Sequence, residues 1–295
     1  MVNMNYYTSP TDKIADFLIY TFLIMLGLVF LVPFWMTAVT SVVSEQERIS
    51  RGLFFLYPQK IDLSAYKVIL GKNSQILSGY WITISRTVVG TFLNLLVTSM
   101  LSYGLAKRDL PHRKIITLAI FFTSVFNPGL IPNYLIVRYT GIYNTFWVFI
   151  LPGLVGVWNM LILRNFFMQI PLELEEAAII DGASPPIILF RIIIPLSLPA
   201  IATIGMFYAV SHWNAWFDGM IYITRSYLMP AQVVLRNIIA ASNMENLDAT
   251  IVEVPPPLES VKTAAIMVTT IPILVVYPFI QKYFVKGALV GSVKG

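Results

Sequence analysis

The amino-acid sequence predicts an all-α membrane protein that crosses the bilayer with six transmembrane helices. Hydrophobic residues make up 57% of its 295 positions, and charged residues only 12%. Soluble domains average roughly 45–50% apolar and about 25% charged residues, so this chain has too few charges to cover a water-facing surface. It also contains six apolar runs, each near the roughly 20 residues that cross a hydrocarbon core as a helix. This composition excludes a soluble enzyme and a disordered chain.

The six predicted spans follow one another along the chain. The first is uncharged, is too long for the core of a signal peptide and lacks a small-residue cleavage pattern after it. Prolines interrupt the third and fourth. We therefore expect one transmembrane domain over residues 1–295. The predicted spans are Phe17–Val39, Ile82–Leu105, Ile115–Val137, Thr145–Met168, Leu196–Ile223 and Ala264–Ile280.

Lysine and arginine in the short loops predict the orientation in the membrane. The loop between spans two and three carries four basic residues, and the end of the chain carries three more, whereas the loop between spans three and four holds only Arg138. This distribution places both termini and the loop 171–195 in the cytoplasm. The segments 42–81 and 224–261 are then outer loops. Five basic residues in 42–81 oppose this orientation, but long loops follow the rule weakly.

The loop between spans four and five, residues 171–195, carries strong helix signals. Pro171 suits a first helical turn, and the glutamates after it lie where the helix dipole favours negative charge. Asp181-Gly182 is a stop signal, and Ser184-Pro185 is a new N-cap followed by a proline. We predict a short helix, a sharp turn and a second helix that leads into span five. On these signals alone, an ordinary amphipathic interfacial helix is an equal alternative.

The residues of this loop resemble the EAA motif of binding-protein-dependent ABC importer permeases. Glu176-Ala177-Ala178 is followed after three residues by Gly182, after nine more by Ile192, and after one more by Ile194-Pro195. Asp181-Gly182-Ala183 matches the fuller motif, and Ile194 stands where leucine is usual. The string Trp213-Asn214-Ala215-Trp216 and the ending 277–295 are similar to the carbohydrate-uptake branch. Six spans look like the smaller, second permease of a maltose-type pair, in the oligosaccharide branch that includes alginate importers.

The resemblance implies a type I ABC importer permease fold in a bacterial cytoplasmic (inner) membrane. It also implies a second permease as heterodimer partner, two ATPase subunits and an extracellular or periplasmic sugar-binding protein. The EAA helix would dock in a cleft of the ATPase. The implied coupling residues are Glu176, Ala177, Ala178, Asp181, Gly182, Ile192 and Pro195.

The sequence gives this chain no means of its own to bind ATP. A P-loop requires G-x-x-x-x-G-K-[ST]. The nearest string is Gly71-Lys72-Asn73, with Asn73 in place of Ser or Thr and Tyr66 in place of the first glycine. We expect no cofactor in this chain, with ATP and Mg²⁺ bound by the partner ATPase. The chain has no cysteine and two histidines, so we expect no metal site. No basic stripe interleaved with aromatic residues indicates nucleic-acid binding, and the resemblance to a permease subunit implies no enzymatic activity of its own.

Polar and aromatic residues inside the spans are candidates for a translocation path, because polar groups in a membrane need protein or water partners. Interfacial anchoring and bridging between helices are the alternatives. The candidates are Asn94, Asn127, Asn133, Tyr134, Asn159, His212, Trp213, Asn214, Trp216 and Asp218. Arg86 and Asp218 could form an ion pair, but snorkelling of each to the interface is the simpler expectation. His212 is expected to be structural and not part of a proton relay.

The sequence thus predicts a permease subunit of an ATP-driven, binding-protein-dependent importer of oligosaccharides, among them uronate-containing chains such as alginate oligosaccharides. It would work by alternating access. The alternative is a self-sufficient secondary transporter or channel for a small polar solute, which would favour an intramembrane acid or relay and inverted repeats. Asp218 and His212 are the two residues that hint at it. A membrane enzyme is poorly supported, since the acidic residues are scattered along the chain.

Overall fold

The computed structural model describes residues 10–52, 55–71, 74–126, 128–243 and 259–292, and these residues form helices, turns and loops without a strand. Short 3₁₀ turns cover 146–149, 151–153 and 226–228, and a π turn covers 189–193. The α-helices are α1 Pro10–Thr40, α2 Glu45–Arg51, α3 Ser64–Ile69, α4 Gln75–Ala106, α5 Arg113–Val125, α6 Leu130–Tyr139, α7 Val157–Phe167, α8 Leu172–Ile180, α9 Pro185–Ile188, α10 Ile194–Leu196, α11 Leu198–Asn214, α12 Phe217–Tyr222, α13 Ala231–Asn243 and α14 Glu259–Ser292.

Six candidate spans are found among the described residues when each bent helix pair is counted as one. By length and composition, α1, α4 and the first part of α14 can each cross a membrane without a break. The other three candidates are helix pairs bent by more than 40°: α5 with α6, 146–153 with α7, and 185–196 with α11. The all-α class is confirmed. The structure adds the breaks, which apolar length alone does not reveal.

The predicted fifth span, Leu196–Ile223, is wrong as a single continuous helix. The helix α11 ends at Asn214, Ala215 is extended with φ −71° and ψ 127°, and α12 starts only at Phe217. Asn214 Nδ2 donates to the carbonyl of Val210 at 3.0 Å. The Asn214 side chain is therefore bonded to the last turn of its own helix.

The predicted boundaries of two other regions also shift. Helix α4 begins at Gln75, before the predicted Ile82, because Ser74 caps it by accepting a hydrogen bond from the Ile76 N–H at 3.2 Å. The first half of predicted span four consists of 3₁₀ turns, where Pro152 and two glycines interrupt an α-helix. Within the outer segment 224–261, the structure describes α13, whereas 244–258 lie outside the described residues.

The chain divides into two compact units. The first comprises Met1–Gly71 with Ile238–Val268, and the second comprises Lys72–Asn237 with Thr269–Gly295. In the first unit none of the residues in the most apolar part of α1 is buried within the chain. A helix that is apolar all round is suited to lipid or to another membrane helix. Its end is anchored by a small core of Val39, Val43 and Phe55.

In the second unit, α4 is the central helix and packs against α7 and α11. The approach of α4 to α11 is close at Gly90, where an added Cβ would lie 2.7 Å from His212 Cε1. Glycine at this position therefore lets the two helices meet. One buried cluster joins these helices at the ends that the sequence predicts to be cytoplasmic. It contains Tyr103, Leu163, Phe167, Ala178, Ile188, Leu189, Ile193 and Ala200.

Candidate functional site

The loop 171–195 folds as the predicted helix, turn and helix. Helix α8 follows Pro171, which precedes the first turn instead of lying in it. At its end Gly182 has φ +80°, its N–H donates to Ile179 O at 2.9 Å, and the Ala183 N–H donates to Ala178 O at 2.9 Å. These two bonds are those of a Schellman motif, in which glycine adopts the left-handed conformation without a steric cost.

One face of α8 and its C-terminal turn is open to solvent. Glu176, Ala177, Asp181 and Gly182 are all exposed, and Ile180 is 86% exposed. An isoleucine so exposed next to small and acidic residues is suited to contact with another protein. The predicted coupling residues of the first half of the motif, with one exception, therefore lie on one accessible surface.

The exception is Ala178, which we expected to leave room for a partner. It is 8% exposed and belongs to the buried cluster with Tyr103 and Phe167, so its small size lets α8 pack against this chain. Ile192 packs partly buried against the same cluster, and Pro195 is exposed. Helical periodicity explains the burial of Ala178, because a residue two positions after Glu176 lies on another face of the helix.

Helix α8 is tied to the end of α4 by an ion pair that sequence reasoning missed. Lys107 Nζ pairs with the Glu175 carboxylate and lies 4.3 Å from the centroid of the Tyr103 ring. Burial lowers the pKa of Lys107, but the neighbouring Glu175 and Tyr103 side chains outweigh burial and raise the pKa above its ordinary value. The partners are 68 positions apart, so no local pattern links them.

The second helix of the loop was expected to lead into span five. It does so, but through a sharp bend. The segments 185–196 and 198–214 meet at 89°. Pro195 and Pro199 carry no N–H, and a proline inside a helix removes a backbone hydrogen bond, which explains a sharp kink. Ser197, at the bend, is fully buried, and its N–H donates to the carbonyls of Ile193 and Ile194, both at 3.0 Å. The end of the loop and the start of α11 therefore form two helical segments joined by a bend near 90°.

A cavity of about 460 Å³ lies within the second unit, between α4, α7, α11 and α12. Four of the predicted path residues line it, namely Asn94, Asn159, His212 and Asp218. Asn133 and Asn214 are exposed elsewhere, Trp213 lies 6.3 Å from Tyr80 between ring centroids, and the guanidinium of Arg236 lies over Trp216 at 3.7 Å. Asn127 lies outside the described residues. The polar residues of the cavity wall are Arg86, Asn94, Asn159, Tyr208, Ser211, His212 and Asp218.

Arg86 and Asp218 form an ion pair in this wall, so the expectation that both snorkel to the interface is wrong. Arg86 is 1% exposed, and its Nη1 and Nη2 donate to the two carboxylate oxygens of Asp218 at 3.2 and 2.5 Å. Nη1 also donates to Ala215 O at 3.3 Å, and the guanidinium lies 4.4 Å from the Phe149 ring centroid. A buried guanidinium requires such partners, since an unpaired one is very costly.

The other polar residues of the wall are hydrogen-bonded only in part. The Tyr208 hydroxyl accepts from the Gly156 N–H at 2.9 Å and shares a hydrogen bond with Thr98 Oγ1 at 2.8 Å. Asn94 Nδ2 donates to Gly153 O at 3.1 Å. Asn94 Oδ1 and His212 Nε2 have no hydrogen-bond partner among the described residues. In that part of the chain, no group of three His, Cys, Asp or Glu side chains could hold a metal ion.

Comparisons with known proteins identify the family. Residues 2–290 match the family described as "Binding-protein-dependent transport system inner membrane component". The polygalacturonan/rhamnogalacturonan transport system permease protein YtcP of Bacillus subtilis is 41% identical over 286 residues, covering 96% of this chain and 99% of YtcP. Protein LplC of the same organism is 39% identical over 290 residues, covering 98% of each chain.

A solved structure agrees with these relatives. It is the crystal structure of a bacterial ABC transporter involved in the import of the acidic polysaccharide alginate, one chain of which is 31% identical to this one. The superposition has a TM-score of 0.83 and covers 95% of this chain and all of that one. The resemblance inferred from the EAA motif and the type I permease fold are both confirmed. The chain belongs to the binding-protein-dependent transport system inner membrane components, as an ABC transporter permease subunit and not an enzyme.

Proposed function

We propose that this chain is one permease subunit of an ATP-driven importer of oligosaccharides, including uronate-containing ones. The relative YtcP is a permease of a polygalacturonan/rhamnogalacturonan transport system, and the solved structure is that of a transporter involved in the import of the acidic polysaccharide alginate. The observation that carries the proposal is the open face of α8, because the motif residues on it have no role in packing this chain. That surface is where a separate ATPase would dock.

The chemistry of this face fits a docked, partly desolvated contact. Ala177 and Gly182 allow close approach of a second backbone, Ile180 supplies an apolar anchor, and Glu176 and Asp181 supply acceptors for basic groups or N–H donors. Closure of an ATPase dimer would move α8 together with its attached cluster. Since that cluster contains residues of α4, α7 and α11, the movement would reach the helices around the cavity. Alternating access would follow from this movement.

The assembly we propose includes a second permease, two ATPase subunits that bind ATP and Mg²⁺, and an external sugar-binding protein. The loop 171–195 and both termini would lie in the cytoplasm, on the side of the ATPases. The alternative of a self-sufficient transporter loses its best support, because Asp218 is engaged by Arg86 and is not a free acid within the membrane.

The test is Glu176→Lys in the complete importer. The residue is exposed, so we expect normal insertion into the membrane. Sugar-stimulated ATP hydrolysis and uptake should fall about tenfold or more, because a lysine would be repelled by the basic groups that Glu176 contacts in a partly desolvated interface. Asp109→Lys is the matched control, as Asp109 is an exposed acid in the neighbouring loop. Equal activity of both variants would defeat the docking role. A chain that purifies without an ATPase and still moves solute in liposomes would overturn the proposal.

A further inference from the structure

The proposed contact of α8 with an ATPase does not explain the cavity of about 460 Å³. It lies among helices that cross the membrane, yet its wall contains charged and amide side chains. Polar groups at this depth are costly unless they face protein, water or a substrate, and they mark functional sites by default. Its volume falls within the range of about 300–1,000 Å³ that is typical of small-molecule sites.

We propose that this cavity binds one uncharged, hydroxyl-bearing sugar unit of the transported oligosaccharide. The inference rests on the function proposed above and deepens it, because it assigns substrate contact to this subunit and states the chemistry of the unit bound. Asn159, Ser211 and Asp218 are its polar contacts, and Phe207 is its apolar wall.

The accessible charge in the wall decides the chemistry of the ligand. The Arg86 side chain is 2% exposed. Its guanidinium pairs with Asp218, donates to Ala215 O and lies over the Phe149 ring. The Asp218 side chain is 25% exposed, and its charge is in turn neutralised by Arg86. Among the described residues the wall therefore offers no unpaired cation to a ligand carboxylate, whereas a sugar hydroxyl can donate a hydrogen bond to a carboxylate oxygen of Asp218.

The remaining wall suits the two faces of a sugar ring. Asn159 and Ser211 make no side-chain hydrogen bond with any other described residue, so their amide and hydroxyl groups are available to a ligand. Phe207 is 37% exposed and offers an apolar surface to the C–H face of a ring. Uncharged sugars present both kinds of surface.

Asn94 supports a ligand independently of these residues. It is 1% exposed, it lies in the cavity wall, and its Oδ1 lacks a hydrogen-bond partner among the described residues. A buried acceptor without a partner costs about 1–3 kcal/mol, so such groups are usually satisfied by something not on the same chain. A sugar hydroxyl in the cavity supplies a donor of the required kind.

The experiment measures uptake in cells that carry the complete importer with Asn159→Ala, Ser211→Ala or the matched control Asn165→Ala. Asn165 lies on the same helix as Asn159, is exposed and does not line the cavity. The probes are a labelled rhamnogalacturonan oligosaccharide, which contains uncharged units, and a galacturonan oligosaccharide of equal length, which contains none. Both cavity variants leave the Arg86–Asp218 pair intact, so misfolding is not expected.

We expect KM for the rhamnogalacturonan probe to rise about fivefold in each cavity variant with kcat unchanged, the effect of one lost hydrogen bond. The control should stay within about twofold, and wild type should have the lower KM for the probe with uncharged units. Wild-type KM in Asn159→Ala and Ser211→Ala, or a lower KM for galacturonan in wild type, would overturn the inference alone. Absence of uptake of either probe by wild type would overturn the proposed function and this inference with it.

Discussion

Two basic residues of α4, Arg86 towards its buried end and Lys107 just past its exposed end, each pair with an acid from a distant segment, in different surroundings. Arg86 and Asp218 have side chains that are 2% and 25% exposed. Lys107 and Glu175 have side chains that are 28% and 13% exposed. The two basic residues are about 30 Å apart, at 1.5 Å per residue. One pair lies in the wall of a membrane cavity, and the other joins α4 to α8.

The difference shows that similar ion pairs can serve different purposes. Burying a charge costs several kcal/mol, and breaking a buried pair leaves that cost uncompensated. A partly exposed pair contributes roughly 0–1 kcal/mol, since water and salt weaken it. The Arg86 pair is therefore a condition for the fold around the cavity, whereas the Lys107 pair fixes the position of α8 at little energetic cost.

The largest expected effect is that of Asp218→Asn, which removes the partner of a buried guanidinium. We expect a loss of about 3–5 kcal/mol in the free energy of unfolding, because the charge of Arg86 would remain buried. The measurement is thermal unfolding of the purified protein in detergent. Asp109→Asn, at an exposed acid, is the control and should change stability little.

A double replacement sharpens this prediction. Arg86→Met with Asp218→Leu removes both charges and should be less destabilising than Asp218→Asn alone, since no charge stays buried. A double variant less stable than the single one would show that the ion pair is not what sets the cost. The ion pair at the buried end of α4 would then contribute as little to stability as the pair at the exposed end.

Gly90→Ala is the next largest effect and also concerns the buried end. A Cβ at this position would lie 2.7 Å from His212 Cε1, and His212 is 92% buried and has little room to move. We expect a loss of about 1–3 kcal/mol from overpacking. Gly104→Ala, near the exposed end of the same helix, meets nothing within 4 Å and should be neutral or stabilising. Equal thermal midpoints for the two variants would contradict the close contact of α4 with α11.

Lys107→Met tests the exposed end and should cost less, about 0.5–1 kcal/mol. Its effect on sugar-stimulated ATP hydrolysis should exceed its effect on unfolding, because α8 loses a link to α4. The charge-exchanged variant, Lys107→Glu with Glu175→Lys, should recover most of the coupling. Failure of this exchange, with both single variants defective, would show that the pair does not position α8.

The sequence was sufficient to predict the fold class and the helix–turn–helix conformation of the loop 171–195, because both depend on local chemistry. Apolar run length predicted the spans, and the Asp181-Gly182 stop predicted the turn after α8, which the left-handed conformation of Gly182 confirms. The string Ser184-Pro185 likewise predicted where the next helix begins. A residue's exposure was harder to predict, as Ala178 shows, since it depends on which face of a short helix finds a neighbour.

The path residues were predicted only in part, for a physical reason. Residue type indicates that a side chain is costly in lipid, but not which neighbour it finds. Trp213 and Trp216 lie against Tyr80 and Arg236, and Asn214 bonds its own helix, whereas the predicted Asn94, Asn159, His212 and Asp218 do line the cavity. The pairing of Asp218 with Arg86, 132 positions away, was not expected. No local pattern joins residues so distant, and the break at Ala215 that brings Asp218 into place is invisible to hydropathy.

The smallest expected effect is a pH dependence confined to the exposed end of α4. Because the folded protein raises the pKa of Lys107 above the ordinary value of 10.5, the contribution of this lysine to stability is fully present below that pH and is lost as pH rises through the folded-state pKa. The difference in unfolding midpoint between wild type and Lys107→Met should therefore shrink above about pH 10.5. The difference between wild type and Asp218→Asn should stay constant over the same range, since a guanidinium keeps its charge there. A parallel decline of both differences would indicate general alkaline unfolding and would remove the distinction between the two ends.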